Sequence, residues 1–401
     1  MRVLLTNSFY YPAFVGGAEV SVKILAEGLV NAGHQVYVLT TGLYDQVYRV
    51  NGVIVISLKQ QNIFSIYGGT DGVSNLKKSI WHLIDSCNLF YHTRITSILK
   101  RISPDIVNTN TIQGFSPALW LTIKKLRIPL VHTMRDYYLL CHKCSMFNNG
   151  NCATLCAPCK VTHQVKKNFL SYPDHYIAIS DFILKKHRQF FTIADGRATT
   201  IYNAVLKAGN HKHNTETGKF RLGYIGRVAA DKGVRYLVDE LLKLPDDKKD
   251  MLKIIFAGKG DPEFVAQLQT ELTGIEHAFL GVISPADFYG CIDTLIVPAL
   301  WNEPFGRTVV ESLSFGVPVC QSDRGGLEEI FSADCSWLFS PDEGNLLDLL
   351  QHVLDNRDEV ERKKQNCIRR SRDFSADNYI KNYLELYHKI LVPSALLQSA
   401  N

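Results

Sequence analysis

The chain contains no long hydrophobic run. None of its apolar stretches approaches the roughly 18 residues needed to cross a bilayer, which argues against a membrane-spanning helix. Behind Arg2 only Val3–Thr6 precede the polar Asn7 and Ser8, too short for the core of a secretory signal, so the expected compartment is the cytosol. No repeat of solenoid period and no low-complexity tract is present, which excludes stacked-repeat folds and biased linkers. The G-x-G-x-x-G dinucleotide fingerprint is missing, since Gly258-Lys-Gly260 lacks the rest of it, and this disfavours hydride transfer with NAD. No Asp-x-Asp pair is available to carry a divalent ion to a phosphate. Charge of either sign is modest: 44 Lys and Arg against 39 Asp and Glu give +5, which leaves no polybasic tail and no acidic solvating chain. No recognised nucleic-acid motif accompanies the charge, so no nucleic-acid partner is expected.

What is present indicates a globular protein. Hydrophobic residues make up 46% and charged residues 21% of 401 positions, and that length exceeds one ordinary core, so two domains are expected. The charge is unevenly divided. Residues 1–200 hold 21 Lys and Arg against 10 Asp and Glu, a net +11, and residues 201–401 hold 23 against 29, a net −6. A basic half joined to an acidic half suggests that the first half faces something anionic.

Short apolar runs alternate with amphipathic stretches along both halves. Val3–Thr6, Val36–Thr40, Val53–Leu58, Asp105–Asn108, Leu130–Thr133 and Tyr176–Ile179 fit strands covered on both faces. Between the first two, Val22, Leu25 and Leu29 recur at helical spacing before Gly33 stops the helix. Arg221–Ile225, Lys253–Ala257, His277–Leu280, Thr294–Val297 and Val317–Gln321 form a second series, with helices at Val234–Leu244 and Arg307–Phe315. Strand–helix–strand repetition implies parallel, doubly wound sheets. The fold class is therefore α/β, with two Rossmann-like domains facing each other across a cleft. The first spans 1–205, a linker 206–218, and the second 219–375. The amphipathic segment 376–391 packs on the second domain or returns to the first.

Pro298–Glu329 carries the densest chemistry. Glu303-Pro-Phe-Gly306 is followed by Glu311 on a helix beginning at Arg307, then by Gly316-Val-Pro318, Gly325-Gly326 and Glu328. Glu303 precedes proline and is non-helical, whereas Glu311 lies about one turn inside the helix. The free N–H groups of that helix can meet a hydroxyl or an anion, and the two carboxylates can accept from two regions of one polyol. The same residues also fit a solvated helix position and a turn. Gly226-Arg227 with Lys232-Gly233 follows a strand, where two cations can neutralise a diphosphate without a metal. Gly16-Gly17-Ala-Glu19 lies on the first strand-to-helix connection, where paired glycines let backbone approach a ligand or simply turn the chain.

Together these pieces resemble a GT-B glycosyltransferase of the large retaining family 4, over nearly the full chain. The resemblance implies a hexosyltransferase that moves sugar from a UDP- or GDP-linked donor to a glycan or lipid-linked acceptor in cell-surface polysaccharide assembly, without a catalytic metal. It implies that Arg227 and Lys232 bind the diphosphate and stabilise the leaving group, and that Glu303 contacts the donor sugar. Backbone amides around Phe305 and Gly306, with Arg307 at the helix start, would hold donor hydroxyls. Glu311 would accept from the ribose, Val282 would lie near the base, and Gly16 and Gly17 would meet the phosphates. Many relatives carry a His-Asp pair after the strand here read as Leu130–Thr133. This chain has Val131-His-Thr-Met-Arg-Asp136, so Asp136 matches, Arg135 occupies the histidine position, and His132 stands three residues earlier. Asp136 and Arg135 are expected in the cleft, with His132 as a further candidate or a satisfied core histidine. Arginine stays protonated and cannot act as a base.

A cysteine-rich insertion, 137–160, interrupts the first domain. Five of the ten cysteines (Cys141, Cys144, Cys152, Cys156 and Cys159) fall within 19 residues. Two C-x2-C pairs in a reducing compartment read first as tetrahedral structural zinc, with an iron–sulfur cluster or unliganded and redox thiols as alternatives. A similar insertion in a subset of the family implies Cys141, Cys152, Cys156 and Cys159 as ligands, with Cys144 as alternate. Around it lie Lys124, Lys125, Arg127, Lys143, Lys160, Lys166, Lys167, Lys185, Lys186 and Arg188, interleaved with aromatics. They read as a surface for peripheral association with an anionic membrane or as ordinary solvated helix faces. Two rival functions remain: a sugar-nucleotide epimerase on the same architecture, and a non-catalytic sugar-nucleotide-binding module of an assembly complex.

Overall fold

The computed structural model describes residues 1–13, 16–69, 72–206 and 218–398. All but the two ends of the expected linker, 206–218, lies outside them. The chain divides into two compact units. The first comprises Met1–Met146, Cys152–Asn203 and the C-terminal helix Ala376–Gln398, and the second comprises Phe147–Asn151 and Ala204–Ser375. The C-terminal helix thus belongs with the first unit.

The first unit is built on eight strands: β1 Arg2–Thr6, β2 Gln35–Gly42, β3 Gln46–Val50, β4 Val53–Lys59, β5 Ile106–Thr109, β6 Leu130–Met134, β7 His175–Ala178 and β8 Ala198–Thr200. Their order is β3-β4-β2-β1-β5-β6-β7-β8. All neighbours are parallel except β3 and β4. Near-continuous burial of β1, β5, β6 and β7 explains their unbroken apolar runs, because helices cover both faces.

The second unit is a six-stranded parallel sheet. Its strands are β9 Phe220–Ile225, β10 Leu252–Ala257, β11 Glu276–Phe279, β12 Thr294–Val297, β13 Val319–Ser322 and β14 Ser336–Phe339, in the order β11-β10-β9-β12-β13-β14. One core cluster fills it, with Leu222, Ile254, Leu237, Leu241 and Ile296 almost fully buried. Every strand expected from the sequence maps onto an observed one. The chain runs outward from β9 through β10 to β11, then crosses to β12 and runs outward the other way. Such a reversal opens a crevice at the carboxyl ends of β9 and β12. The first sheet reverses in the same way between β1 and β5.

Candidate active site

The loops leaving β9 and β12 bring the main candidates of the second unit together. Lys232 ends a short 3-10 turn, Ala230–Lys232, and its Nζ donates to Glu303 Oε1 at 2.6 Å. The approach depends on Gly233. Its φ of 76° belongs to the left-handed region, and a Cβ there would stand 1.7 Å from the Pro298 carbonyl oxygen. Glu303 is anchored through its backbone: its carbonyl accepts the Gly326 N–H at 2.7 Å, and it bridges to Gly325, whose φ is 64°. Gly325-Gly326 therefore serves as the floor of the Glu303 loop, because any side chain at 325 would meet the Glu303 backbone.

Arg227 is exposed and ion-paired to Asp231 at 2.5 Å. The Tyr224 hydroxyl donates to the Arg227 carbonyl at 2.7 Å and fixes the turn after β9. Gly306, with φ 98°, caps the helix Arg307–Ser314, and Phe305 is buried edge-on against Phe374. Arg307 spans Glu311 Oε1 at 3.2 Å and the Ala204 carbonyl at 3.1 Å. Val282, beyond β11, is 81% exposed.

Trp301 is the residue that the sequence reading missed. Its indole N–H donates to Glu303 Oε1 at 2.8 Å, and the Lys232 ammonium lies 4.3 Å from its ring centroid. It stands two positions before Glu303, and that spacing is the signal in the sequence. One carboxylate oxygen thus takes two donors, while Glu303 Oε2 has no protein donor among the described residues.

In the first unit Gly16 and Gly17 open the helix Gly17–Asn31, and the Gly16 N–H donates to Glu19 Oε2 at 2.7 Å. Asp136 follows β6, half-buried, and its Oδ1 accepts the Tyr138 N–H at 2.7 Å. Burial raises its pKa to about 6, against the pull of that N–H and of Lys166. Arg135, expected in the cleft, is buried. Its guanidinium is interior and fully occupied, with Nε to Asn110 Oδ1 at 2.8 Å, one terminal nitrogen to Asn203 Oδ1 at 2.6 Å and the other to the Tyr379 hydroxyl at 2.9 Å. His132 is likewise a core residue. It lies edge-on to Trp120, Thr109 bonds its Nδ1 at 2.9 Å, and burial lowers its pKa to about 3, which keeps it neutral.

The zinc expectation does not fit this geometry. Among the described residues no group of three or more His, Cys, Asp or Glu side chains converges to hold a metal ion. Cys141 instead hydrogen-bonds with Cys159 and with the backbone of Met146, Lys143 and Ser145, which favours its thiolate, while the His142 Nδ1 contacts Cys159 Sγ at 3.3 Å. The Cys144 thiol is raised by burial and feels Asp136 and Lys166. The basic patch is also divided, since Lys166 is buried and Lys124 pairs with Asp174 at 2.8 Å.

Known proteins match throughout. Residues 15–206 match the model of Glycosyltransferase Family 4, and residues 208–373 that of Glycosyl transferases group 1. The "uncharacterized 42.6 kDa protein in cps region" of Klebsiella pneumoniae is 35% identical over 335 residues, covering 82% of this chain and 87% of that protein. Sucrose-phosphate synthase from Thermosynechococcus elongatus shares the fold with a TM-score of 0.77 at 18% identity, covering 98% of this chain and 99% of that one. Anabaena HepE, solved in complex with UDP-glucose, does so with a TM-score of 0.71 at 17% identity over 97% of this chain and 100% of that one. With both halves matched and the fold shared from end to end, the chain belongs to glycosyltransferase family 4, the group 1 enzymes of GT-B fold that transfer sugar from nucleotide-sugar donors with retention.

Proposed function

We propose that the protein moves a hexosyl group from a nucleoside diphosphate sugar of the UDP-glucose type to a glycan or lipid-linked acceptor in cell-surface polysaccharide assembly. The observation that carries this reading is the meeting of Lys232, Glu303 and the Arg227 turn at the carboxyl ends of β9 and β12. Transfer builds positive character on the sugar and negative charge on the departing diphosphate. Lys232 and Arg227 supply preorganised counter-charge to that diphosphate. Glu303 Oε2 is the oxygen available to a sugar hydroxyl, the N–H groups opened by Gly306 meet further hydroxyls, and Glu311 accepts from the ribose. HepE, solved with UDP-glucose, supports the choice of donor, and the Klebsiella relative supports the polysaccharide setting.

For the acceptor side we propose an anionic lipid surface. Among the described residues no helix is long and apolar enough to cross a membrane. The helix Asn75–Ser86 nevertheless exposes Leu76, Ile80 and Leu83 at 71%, 42% and 49%, with Lys77 and Lys78 beside them. The neighbouring helix Ala157–Lys167 exposes Val161, Lys160 and Lys167, and Ile80, Leu83, Pro158, Val161, His82 and His142 line a cavity of about 280 Å³.

The test is a panel of nucleotide sugars against the purified protein, followed by thermal shift and by release of the nucleoside diphosphate. A donor should raise Tm by mass action. Lys232→Ala and Glu303→Gln should each lower kcat by about 10²–10³-fold, the usual loss for one preorganised donor. If no nucleotide sugar raises Tm at millimolar concentration, the reading fails.

A further inference from the structure

The tip of the cysteine-rich insertion, Phe147–Asn151, groups with the second unit. Phe147 and Asn151 form an antiparallel bridge, and the Asn148 N–H donates to the Gly150 carbonyl at 2.9 Å, so the five residues make a tight turn. The turn presents one side-chain amide to the loop after β12. Asn151 Nδ2 donates to the Leu300 carbonyl at 2.8 Å, and Asn151 Oδ1 accepts the Asn302 N–H at 2.8 Å. These are the two backbone groups on either side of Trp301. An amide that takes both imitates a neighbouring strand for one residue and fixes the direction in which that residue's side chain leaves the backbone.

Trp301 in turn holds the Glu303 carboxylate through its indole N–H and offers its ring face to the Lys232 ammonium. Lys232 and Trp301 converge on the same oxygen, Glu303 Oε1, at 2.6 and 2.8 Å. A shift of the indole therefore moves both groups. We propose that Asn151 is a positioning residue for sugar transfer: its amide clamp fixes Trp301, and Trp301 fixes the Lys232–Glu303 pair. The proposal rests on the reading of Lys232 and Glu303 as donor-site groups given above. It assigns to the insertion a part in the donor site that its cysteines do not require a metal to play.

The clamp is tested with the full chain as Asn151→Ala, Asn151→Asp, Trp301→Phe, the Asn151→Ala/Trp301→Phe double variant and Asn148→Ala. Asn148 lies in the same turn, exposed, and is the control. Asn151→Asp keeps an acceptor for the Asn302 N–H but cannot donate to the Leu300 carbonyl. Asn151→Ala, Asn151→Asp and Trp301→Phe should lower kcat for UDP-glucose turnover by about 10- to 100-fold, the loss expected when reacting groups move by a fraction of an ångström to one ångström. Tm should stay within a few degrees, KM and the Kd for UDP should weaken by less than kcat falls, and Asn148→Ala should match the parent protein. The double variant should be no slower than Trp301→Phe, because both changes act on one element. A parent-like kcat for Asn151→Ala, an additive double variant, or a kcat loss that tracks Tm would overturn the proposal. One readout is independent of turnover: acrylamide quenching of the Trp301 fluorescence, taken as the difference from Trp301→Phe, should rise in Asn151→Ala. If no nucleotide sugar turns over but quenching rises, the clamp stands and the donor reading fails. Unchanged quenching sinks the clamp itself.

Discussion

Lys166 shows how far a residue's environment can depart from its position in a sequence. It stands among basic residues that read as surface charge, yet it is 1% exposed. Its ammonium donates to the Tyr138 carbonyl at 2.5 Å and lies 3.6 Å from the Tyr138 ring centroid. The titratable groups that feel its charge are Asp85, Asp136, Cys144 and Cys141, and also His82 and His142. Burial raises Asp85 and Asp136 to about 6, and the ammonium opposes the rise. Lys166→Met removes a charge that acts on Asp85 and on the half-buried Asp136 without forming an ion pair with either, together with its hydrogen bond to Tyr138, a change that should cost about 1–3 kcal/mol at pH 7.5. The sign of the pH dependence follows from linkage. In the folded protein both carboxylates hold protons more tightly than at the unfolded value of about 3.9, so below about pH 6 the folded state takes up protons and the penalty shrinks. Urea unfolding should therefore show a larger loss at pH 7.5 than at pH 5. An equal loss at both would remove the electrostatic account. Arg135 shows the same dependence on packing: a match to a family position gives its place in the chain, and only packing gives it Asn110, Asn203 and Tyr379 as partners.

Among the elements, the C-terminal helix was legible as a helix but not in its destination. Period-3.6 spacing puts Ile380, Tyr383, Leu384, Tyr387, Ile390 and Leu391 on one face, of which Ile380, Tyr383 and Tyr387 are buried and Leu384, Ile390 and Leu391 half-buried. Periodicity defines a face and not the partner that covers it. Here the partners are strand ends and the first helix, Gly17–Asn31, of the first unit. The Tyr387 hydroxyl accepts from Asn108 Nδ2 at 2.7 Å, that of Tyr379 accepts from Arg135, and Ile380 packs where a side chain at Gly28 would clash. Tyr387→Ala should cost about 3–5 kcal/mol through the cavity it leaves. Tyr387→Phe should cost about 1–3 kcal/mol, because the Asn108 donor is left buried without its partner. Chemical denaturation of the two variants separates packing from hydrogen bonding, and equal losses would assign the whole effect to the hydroxyl. Strands β3, β8 and β14 were not legible. The exposed edge strand β3 carries no apolar run, β8 is three residues of which two are threonine, and β14 opens on Ser336 with only three apolar residues behind it.

Over the whole molecule, the division into a basic and an acidic half gives the lipid proposal its test. The helices Asn75–Ser86 and Ala157–Lys167 contribute lysines beside exposed apolar side chains, and their only acidic residue, Asp85, is buried. The protein should bind vesicles containing phosphatidylglycerol and not pure phosphatidylcholine vesicles, and binding should weaken as salt shortens the Debye length. Ile80→Ser with Leu83→Ser should reduce binding severalfold while leaving donor affinity unchanged. Equal binding to neutral vesicles would exclude the electrostatic part of the proposal.

The sequence by itself determined the two α/β series, the parallel sheets and the glycine- and glutamate-bearing loops of the second unit. Those properties are local: strands buried on both faces need continuous apolar runs, and loops that approach backbone closely need glycine. Tertiary structure decided which candidates meet. It joined Lys232 to Glu303 across 71 residues of sequence and brought in Trp301 and Asn151. It also withdrew His132 and Arg135 into the core. The physical reason is that a side chain's charge, direction and partners depend on what packs around it, and strand order alone brings residues distant in sequence to one end of a sheet.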